Sequence, residues 1–164
     1  EKEKLAKDLV NKIQHGIDEI KKKRRNMRQK KTVLICVSRD INEDAVYNFY
    51  SVGSNVFYNE LLEIVGGKNV LCEFPIQYPL MTIDGVMKLK PDVVFDLVGD
   101  LKTHDGLKTK SSFNVEQITQ SWKKKLPNKH LNIKIIPLVG TKFLRPGPRI
   151  VEILQVMYKT LNTN

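Results

Sequence analysis

Leu5, Leu9, Ile13, Ile17 and Ile20 recur at helical spacing, Met27 follows two turns further on, and Lys and Glu fill the other faces. The pattern predicts one helix over residues 1–29, about 43 Å long at 1.5 Å per residue. No capping residue precedes it, because Glu1 already belongs to the pattern. The expectation is a helix entered part-way along, with its upstream partner outside the chain. From Thr32 the texture changes. TVLICVS (Thr32–Ser38) is a short apolar run rich in β-branched residues and reads as a buried strand. A helix is expected from Asn55 to Val65, stopped by Gly66-Gly67. Asn69–Cys72 reads as a second short strand. Thr82 caps a helix running to Lys88, Lys90-Pro91 ends it, and Asp92–Val98 is a strand. Asn114 with Gln117 resembles a capping box and opens a helix to Lys125. Ile133–Leu138 is the fourth strand, and Pro148 is placed as the first residue of a last helix to Leu161.

Strands alternating with helices after residue 31 predict an α/β domain with a parallel sheet. Ligands of open α/β sheets bind beyond the carboxyl ends of the strands. That rule selects the loops Ser38–Ser54, Gly99–Lys110 and Val139–Arg149, and with them Phe49, Tyr50 and Arg145 as ligand candidates. The loop before Thr82 adds Tyr78.

Charge changes the picture at one place. The net charge is +10, and residues 1–31 hold twelve Lys/Arg against five Asp/Glu, so the rest of the chain carries little of it. The run KKKRRNMRQKK (Lys21–Lys31) has two readings: a patch for nucleic acid or an anionic surface, or the solvated end of a helix, where cations complement the dipole. No aromatic residue is interleaved to stack on bases. No apolar run approaches the length of a membrane span. Cys36 lies in an apolar strand as a buried thiol, the spacing of Cys36 and Cys72 suggests no zinc site, and a bridge between them is left open.

Catalytic constellations are missing from the pattern. There is no GxSxG elbow, no Walker loop and no GxGxxG. His15, His104 and His130 are scattered. His104 beside Asp105 lies in a candidate ligand loop; the pair reads either as one that ligates a metal or moves a proton, or as an ordinary surface histidine with its neighbour, and His104 is kept among the ligand candidates. Asp40, Glu43 and Asp44 have no base to pair with and read as solvated loop charges. Trp122 reads as helix packing. The expectation is a protein that is not an enzyme.

Three segments in order carry a resemblance: FYSVGSNVFYNELLEIVGGKNVL (Phe49–Leu71), YPLMTIDGVMKLKPDVVFDLVG (Tyr78–Gly99) and FLRPGPRIVEIL (Phe143–Leu154). Within them stand Gly66-Gly67-Lys68-Asn69, Lys90-Pro91-Asp92 and Arg145-Pro146-Gly147-Pro148-Arg149, and SWKKKLPNKHLNIKIIPL (Ser121–Leu138) adds a Trp, Leu-Pro, strand stretch. The chain resembles the C-terminal lobe of the helical-backbone (class III) periplasmic substrate-binding proteins of ABC importers for iron-siderophores, haem and cobalamin. The resemblance implies a Rossmann-like three-layer lobe with a short, mostly parallel sheet over residues 32–164, preceded by a long interlobe helix over residues 1–31. It implies a carrier outside the cytoplasm, periplasmic or membrane-associated, with no cofactor of its own and a metal chelate as cargo. Its partners would be an N-terminal lobe of the same protein and a membrane permease, and the apolar stripe of the leading helix could support a dimer. Tyr78 corresponds to an aromatic that faces the ligand, Arg145 to a position that meets acidic groups of the ligand, and Asp84 to an acid that docks on the permease. For each, a plainer role stands beside this one: loop packing for Tyr78, a local ion pair for Arg145, helix-dipole stabilisation for Asp84. The chain departs from the family in carrying Leu144 where some relatives have a polar contact, and Asp at position 84 where Glu is commoner. The alternative function is a basic α/β module that binds nucleic acid or an anionic surface through Lys21–Lys31.

Overall fold

Val33 and Ile35 face one side of a strand whose Leu34 and Cys36 face the other, and all four are buried. Burial on both faces requires a layer of helices on each side of the sheet, and that is the architecture. The computed structural model describes residues 1–25, 29–40, 44–99, 115–127, 132–145 and 147–162. Among them the elements run α1 (Lys2–Arg24), β1 (Lys31–Ser38), β2 (Asn48–Ser51), α2 (Phe57–Val65), β3 (Gly67–Asn69), β4 (Leu80–Thr82), α3 (Ile83–Leu89), β5 (Val93–Val98), α4 (Val115–Lys123), β6 (Lys134–Val139) and α5 (Ile150–Asn162). A 3-10 turn at Thr141–Phe143 follows β6.

The sheet order is β4-β2-β1-β5-β6, with β3 also on β1. β1, β3, β5 and β6 are parallel. β2 is antiparallel to β1, and β4 antiparallel to β2, so the sheet is mixed at one edge. Helices α1, α2 and α5 cover one face, over Val33, Ile35, Phe95 and Leu138. Val86 of α3 and Trp122 of α4 pack on the other, over Leu34, Val94 and Ile135. Helix α1 uses only its later part for this: Ile20 is buried and Ile17 half-buried, whereas Leu5, Leu9 and Val10 are exposed.

The sequence motifs that open and close these elements have local causes. Gly66 ends α2 in the left-handed conformation at φ 86°, as a C-terminal glycine does. Thr82 Oγ1 accepts from Gly85 N at 3.3 Å and caps α3. In Lys90-Pro91-Asp92, Lys90 closes α3 and Asp92 Oδ2 accepts from Thr32 N (2.7 Å) and Thr32 Oγ1 (2.8 Å), which sets β5 in register with β1.

Several expectations need correction. The first helix ends at Arg24, before residue 29, with Lys21, Lys22, Lys23 and Arg24 in its last turn, where cations complement the negative end of the dipole. Arg24 donates to the Glu63 carbonyl at the end of α2. The strand expected at Asn69–Cys72 lies earlier, at Gly67–Asn69, because Asn69 Oδ1 accepts from Leu71 N at 3.0 Å and turns the chain. The last helix starts at Ile150, with Pro148 and Arg149 in the turn before it. Strands β2 and β4 lie in stretches read as loop. Met27, Asn114 and the His104–Asp105 pair lie outside the described residues.

Candidate ligand-binding face

The antiparallel edge carries the aromatic candidates, and its geometry begins at Gly53. A Cβ there would stand 1.9 Å from the Ile76 carbonyl oxygen, so only glycine permits this approach. Gly53 N donates to Gln77 O at 2.7 Å, Ser51 N to Pro79 O at 3.0 Å and Ser54 N to Phe74 O at 3.2 Å. The Phe74–Pro79 segment is thereby stitched to the chain leaving β2. Two side-chain amides hold that chain from the other side. Asn69 Nδ2 donates to Val52 O at 2.9 Å, and Asn59 Nδ2 donates to Gly53 O at 2.8 Å. Asn69 Nδ2 also lies 2.8 Å from Asn59 Oδ1. Asn69 of the Gly-Gly-Lys-Asn motif is therefore an inward clamp, 2 % exposed.

Tyr78 sits on the stitched segment with 44 % of its surface exposed. Tyr50 of β2 is 49 % exposed and stands opposite Leu80 of β4, which is also exposed. Phe49 does not belong with them. It is 1 % exposed and meets Trp122 edge-on at 5.0 Å, so its ring is core and not ligand surface. The alternation along β2, exposed and buried in turn, sends neighbouring residues to opposite sides.

Arg145 follows the 3-10 turn beyond the carboxyl end of β6 and is exposed. The turn is fixed from α2: Tyr58, 2 % exposed, donates its hydroxyl to the Phe143 carbonyl at 2.6 Å. Burial pushes the Tyr58 phenol pKa well up, and neighbouring Tyr78 pushes it further. Tyr58 does not stand out in the sequence; its place in the first turn of α2, just after the glycine-bearing stretch Ser51–Val56, is the available signal. Leu144 packs against the core beside it. Among the described residues, no hydrogen bond or ion pair at Arg145 is found.

Asp84 is exposed in the first turn of α3, beside the Thr82 cap. It borders a groove of about 950 Å³ with Met87, Lys88, Lys90 and Asn132, which includes neither Tyr78 nor Arg145. Asp84 thus belongs to a different surface from the aromatic edge.

A buried ion pair lies beneath the carboxyl ends of β1 and β5. Arg39 Nη2 is 2.9 Å from Asp96 Oδ2, with the two side chains 3 % and 1 % exposed. Trp122 Nε1 donates to the same oxygen at 2.8 Å, and Arg39 Nη2 also reaches Ser121 Oγ at 3.3 Å. The one sequence signal for it was an acid inside the apolar run VVFDLV. Cys36 lies against this pair: burial raises its thiol pKa well above the ordinary value, and the Asp96 carboxylate adds to the rise. Cys36 and Cys72 are both free. No cluster of metal-ligating side chains occurs among the described residues, nor any helix long and apolar enough to cross a membrane.

A long helix leading into a lobe of this topology defines the fold of one lobe of the class III periplasmic substrate-binding proteins. A possible iron-binding (periplasmic solute-binding) protein from Staphylococcus epidermidis shares it at TM-score 0.65 and 24 % identity, over 98 % of this chain and 56 % of that one. No protein-family profile matches the chain. It is 29 % identical to the uncharacterized ABC transporter substrate-binding lipoprotein YvrC of Bacillus subtilis over 92 % of its own length and 42 % of that protein's. It is 25 % identical to the vitamin B12-binding protein of Photorhabdus laumondii, over 72 % of this chain and 37 % of that one. The chain therefore spans about two fifths of the length of the curated relatives it matches. Both curated relatives are thus named for binding a substrate, one of them as part of an ABC transporter, and neither name is that of an enzyme. The comparisons favour neither the nucleic-acid reading of Lys21–Lys31 nor a dimer through α1.

Proposed function

We propose that the chain is the C-terminal binding lobe, with its interlobe helix, of a substrate-binding protein that captures an iron chelate, haem or cobalamin for an ABC importer. In this reading α1 is the interlobe helix and residues 32–164 form the lobe. The observation that carries it is the junction at α2, whose first turn joins the exposed Tyr78 segment to the exposed Arg145 turn. An aromatic surface beside a guanidinium suits a large, partly apolar ligand with carboxylate or catecholate oxygens, which Arg engages by paired hydrogen bonds. Tyr50 and Leu80 extend the apolar part, and His104 remains a candidate contact. The relatives' names support the class of cargo. Asp84, on its separate surface, docks on the permease.

The test is a fluorescence titration of the longest natural form of the chain with haemin, a ferric catecholate, a ferric hydroxamate, ferric citrate, cyanocobalamin and nickel-histidine. Saturable quenching by one of them at micromolar concentration or below is expected, weakened by Tyr78→Ala and by Arg145→Ala. Asp84→Lys is expected to leave binding intact and impair uptake. Silence from the whole panel would overturn the cargo reading, and normal uptake by Asp84→Lys would overturn the docking assignment.

A further inference from the structure

The first turn of α2 touches both halves of the candidate face. On one side Tyr58 donates to the Phe143 carbonyl at 2.6 Å, two residues before Arg145. On the other, Asn59 donates to the Gly53 carbonyl at 2.8 Å, and Gly53 N donates to Gln77 O at 2.7 Å, one residue before Tyr78. Phe57 and Tyr58 are in ring contact at 4.0 Å, which restricts the phenol further. No other hydrogen bond to the Phe143 carbonyl is found among the described residues, so this contact adds a directed tie to α2 where Phe143 and Leu144 otherwise hold the turn by core packing and by their own backbone bonds to Gly140 and Thr141.

We propose that Tyr58 is a positioning residue for cargo: its hydroxyl ties the Arg145 turn to the first turn of α2, which holds the Tyr78 segment through Asn59 and Gly53, so that guanidinium and aromatic ring meet one ligand together. The inference rests on the cargo-binding reading above. The side chain is buried and does not touch the ligand; it acts through Arg145. Its proton is held against loss by burial, so the tie persists across the pH range in which the protein is handled. Holding the backbone turn that leads to a cationic side chain before binding removes an ordering cost that a loose turn would meet on each encounter.

The experiment is a double-mutant cycle in the longest natural form, read by titration with haemin, a ferric catecholate, a ferric hydroxamate and cyanocobalamin. Tyr58→Phe removes the hydroxyl and keeps the ring. It is expected to weaken binding of the saturating probe about tenfold, the scale of one hydrogen bond to a buried carbonyl. In an Arg145→Ala background the same change should have almost no effect, a non-additivity that general loosening of the fold would not produce. Equal losses in both backgrounds would overturn the positioning role, as would wild-type affinity in Tyr58→Phe while Arg145→Ala is weakened. If Arg145→Ala itself binds normally, or no probe saturates, the cargo reading fails and this inference with it. Should Tyr58→Phe not fold, hydrogen exchange on the unmutated protein decides: the bound probe must slow the amides of Leu144 and Tyr78 together, and slowing of only one overturns the tie.

Discussion

Strands β5 and β2 lie on either side of β1 and are built on opposite terms. Every residue of β5 is buried, and its neighbours on both sides are parallel strands. Strand β2 is four residues long, alternates between exposed and buried, and leans on β4, a three-residue edge. Apolar burial and a buried ion pair hold the first. Glycine, side-chain amides and backbone bonds to an irregular segment hold the second. A rigid middle and an edge fixed by a few polar contacts is the arrangement expected where a binding surface must be displayed, since exposed rings cannot also be core.

The sharpest way to break the middle is Arg39→Ala. It leaves Asp96 buried with one indole donor and no counter-charge, and loss of one partner of such a pair costs about 3–5 kcal/mol. Chemical denaturation should show a loss of this size. A loss below about 1 kcal/mol, the range of exposed pairs, would mean that the pair is hydrated in solution.

Gly53→Ala attacks the edge. The added methyl must displace the Ile76 carbonyl, and such overpacking costs about 1–3 kcal/mol. The distinguishing outcome is in binding: Tyr78 moves with the displaced segment, so cargo affinity falls, whereas Arg39→Ala leaves the folded fraction's affinity near normal. Wild-type affinity in Gly53→Ala would detach Tyr78 from the site. Thr82→Ala is milder. Removing the cap of α3 should cost about 1 kcal/mol and leave cargo affinity unchanged, because α3 lies on the other face.

The same division explains what the sequence disclosed. TVLICV and VVFDLV announce themselves because continuous apolar runs are what double burial requires. Lys-Pro-Asp and the terminal glycine of α2 are local devices and are readable locally. NFYS is a strand because it finds β1 on one side and LMT on the other, and LMT because it finds NFYS, non-local pairings with no run length or turn signature to betray them. Phe49 and Tyr50 look alike in sequence, yet the pleat makes one core and the other surface. Arg39 and Tyr58 act through partners 57 and 85 residues away, and apart from the acid inside VVFDLV nothing in the sequence names those partners.

The smallest effect concerns the protons held in these two regions, one on each. Cys36 belongs to the middle, and burial followed by the Asp96 carboxylate raises its pKa above the ordinary 9.0. Tyr58 belongs to the edge, and burial followed by Tyr78 raises its pKa above the ordinary 10.0. In both the folded state keeps the proton longer. The unfolded chain therefore binds fewer protons above these ordinary values, and the stabilisation present below them erodes as pH rises towards the folded pKa. Stability should fall from about pH 9, each group limiting the slope to about 1.4 kcal/mol per pH unit. Cys36→Ala should flatten the fall between pH 9 and 10, and Tyr58→Phe the part above 10, in melting temperatures compared as slopes. A thiol reagent gives the independent check at pH 8: half-buried Cys72 reacts in the native protein, and Cys36 only on unfolding. Equal native rates would show the parallel middle opening as readily as the edge, and the contrast between β5 and β2 would lose its physical basis.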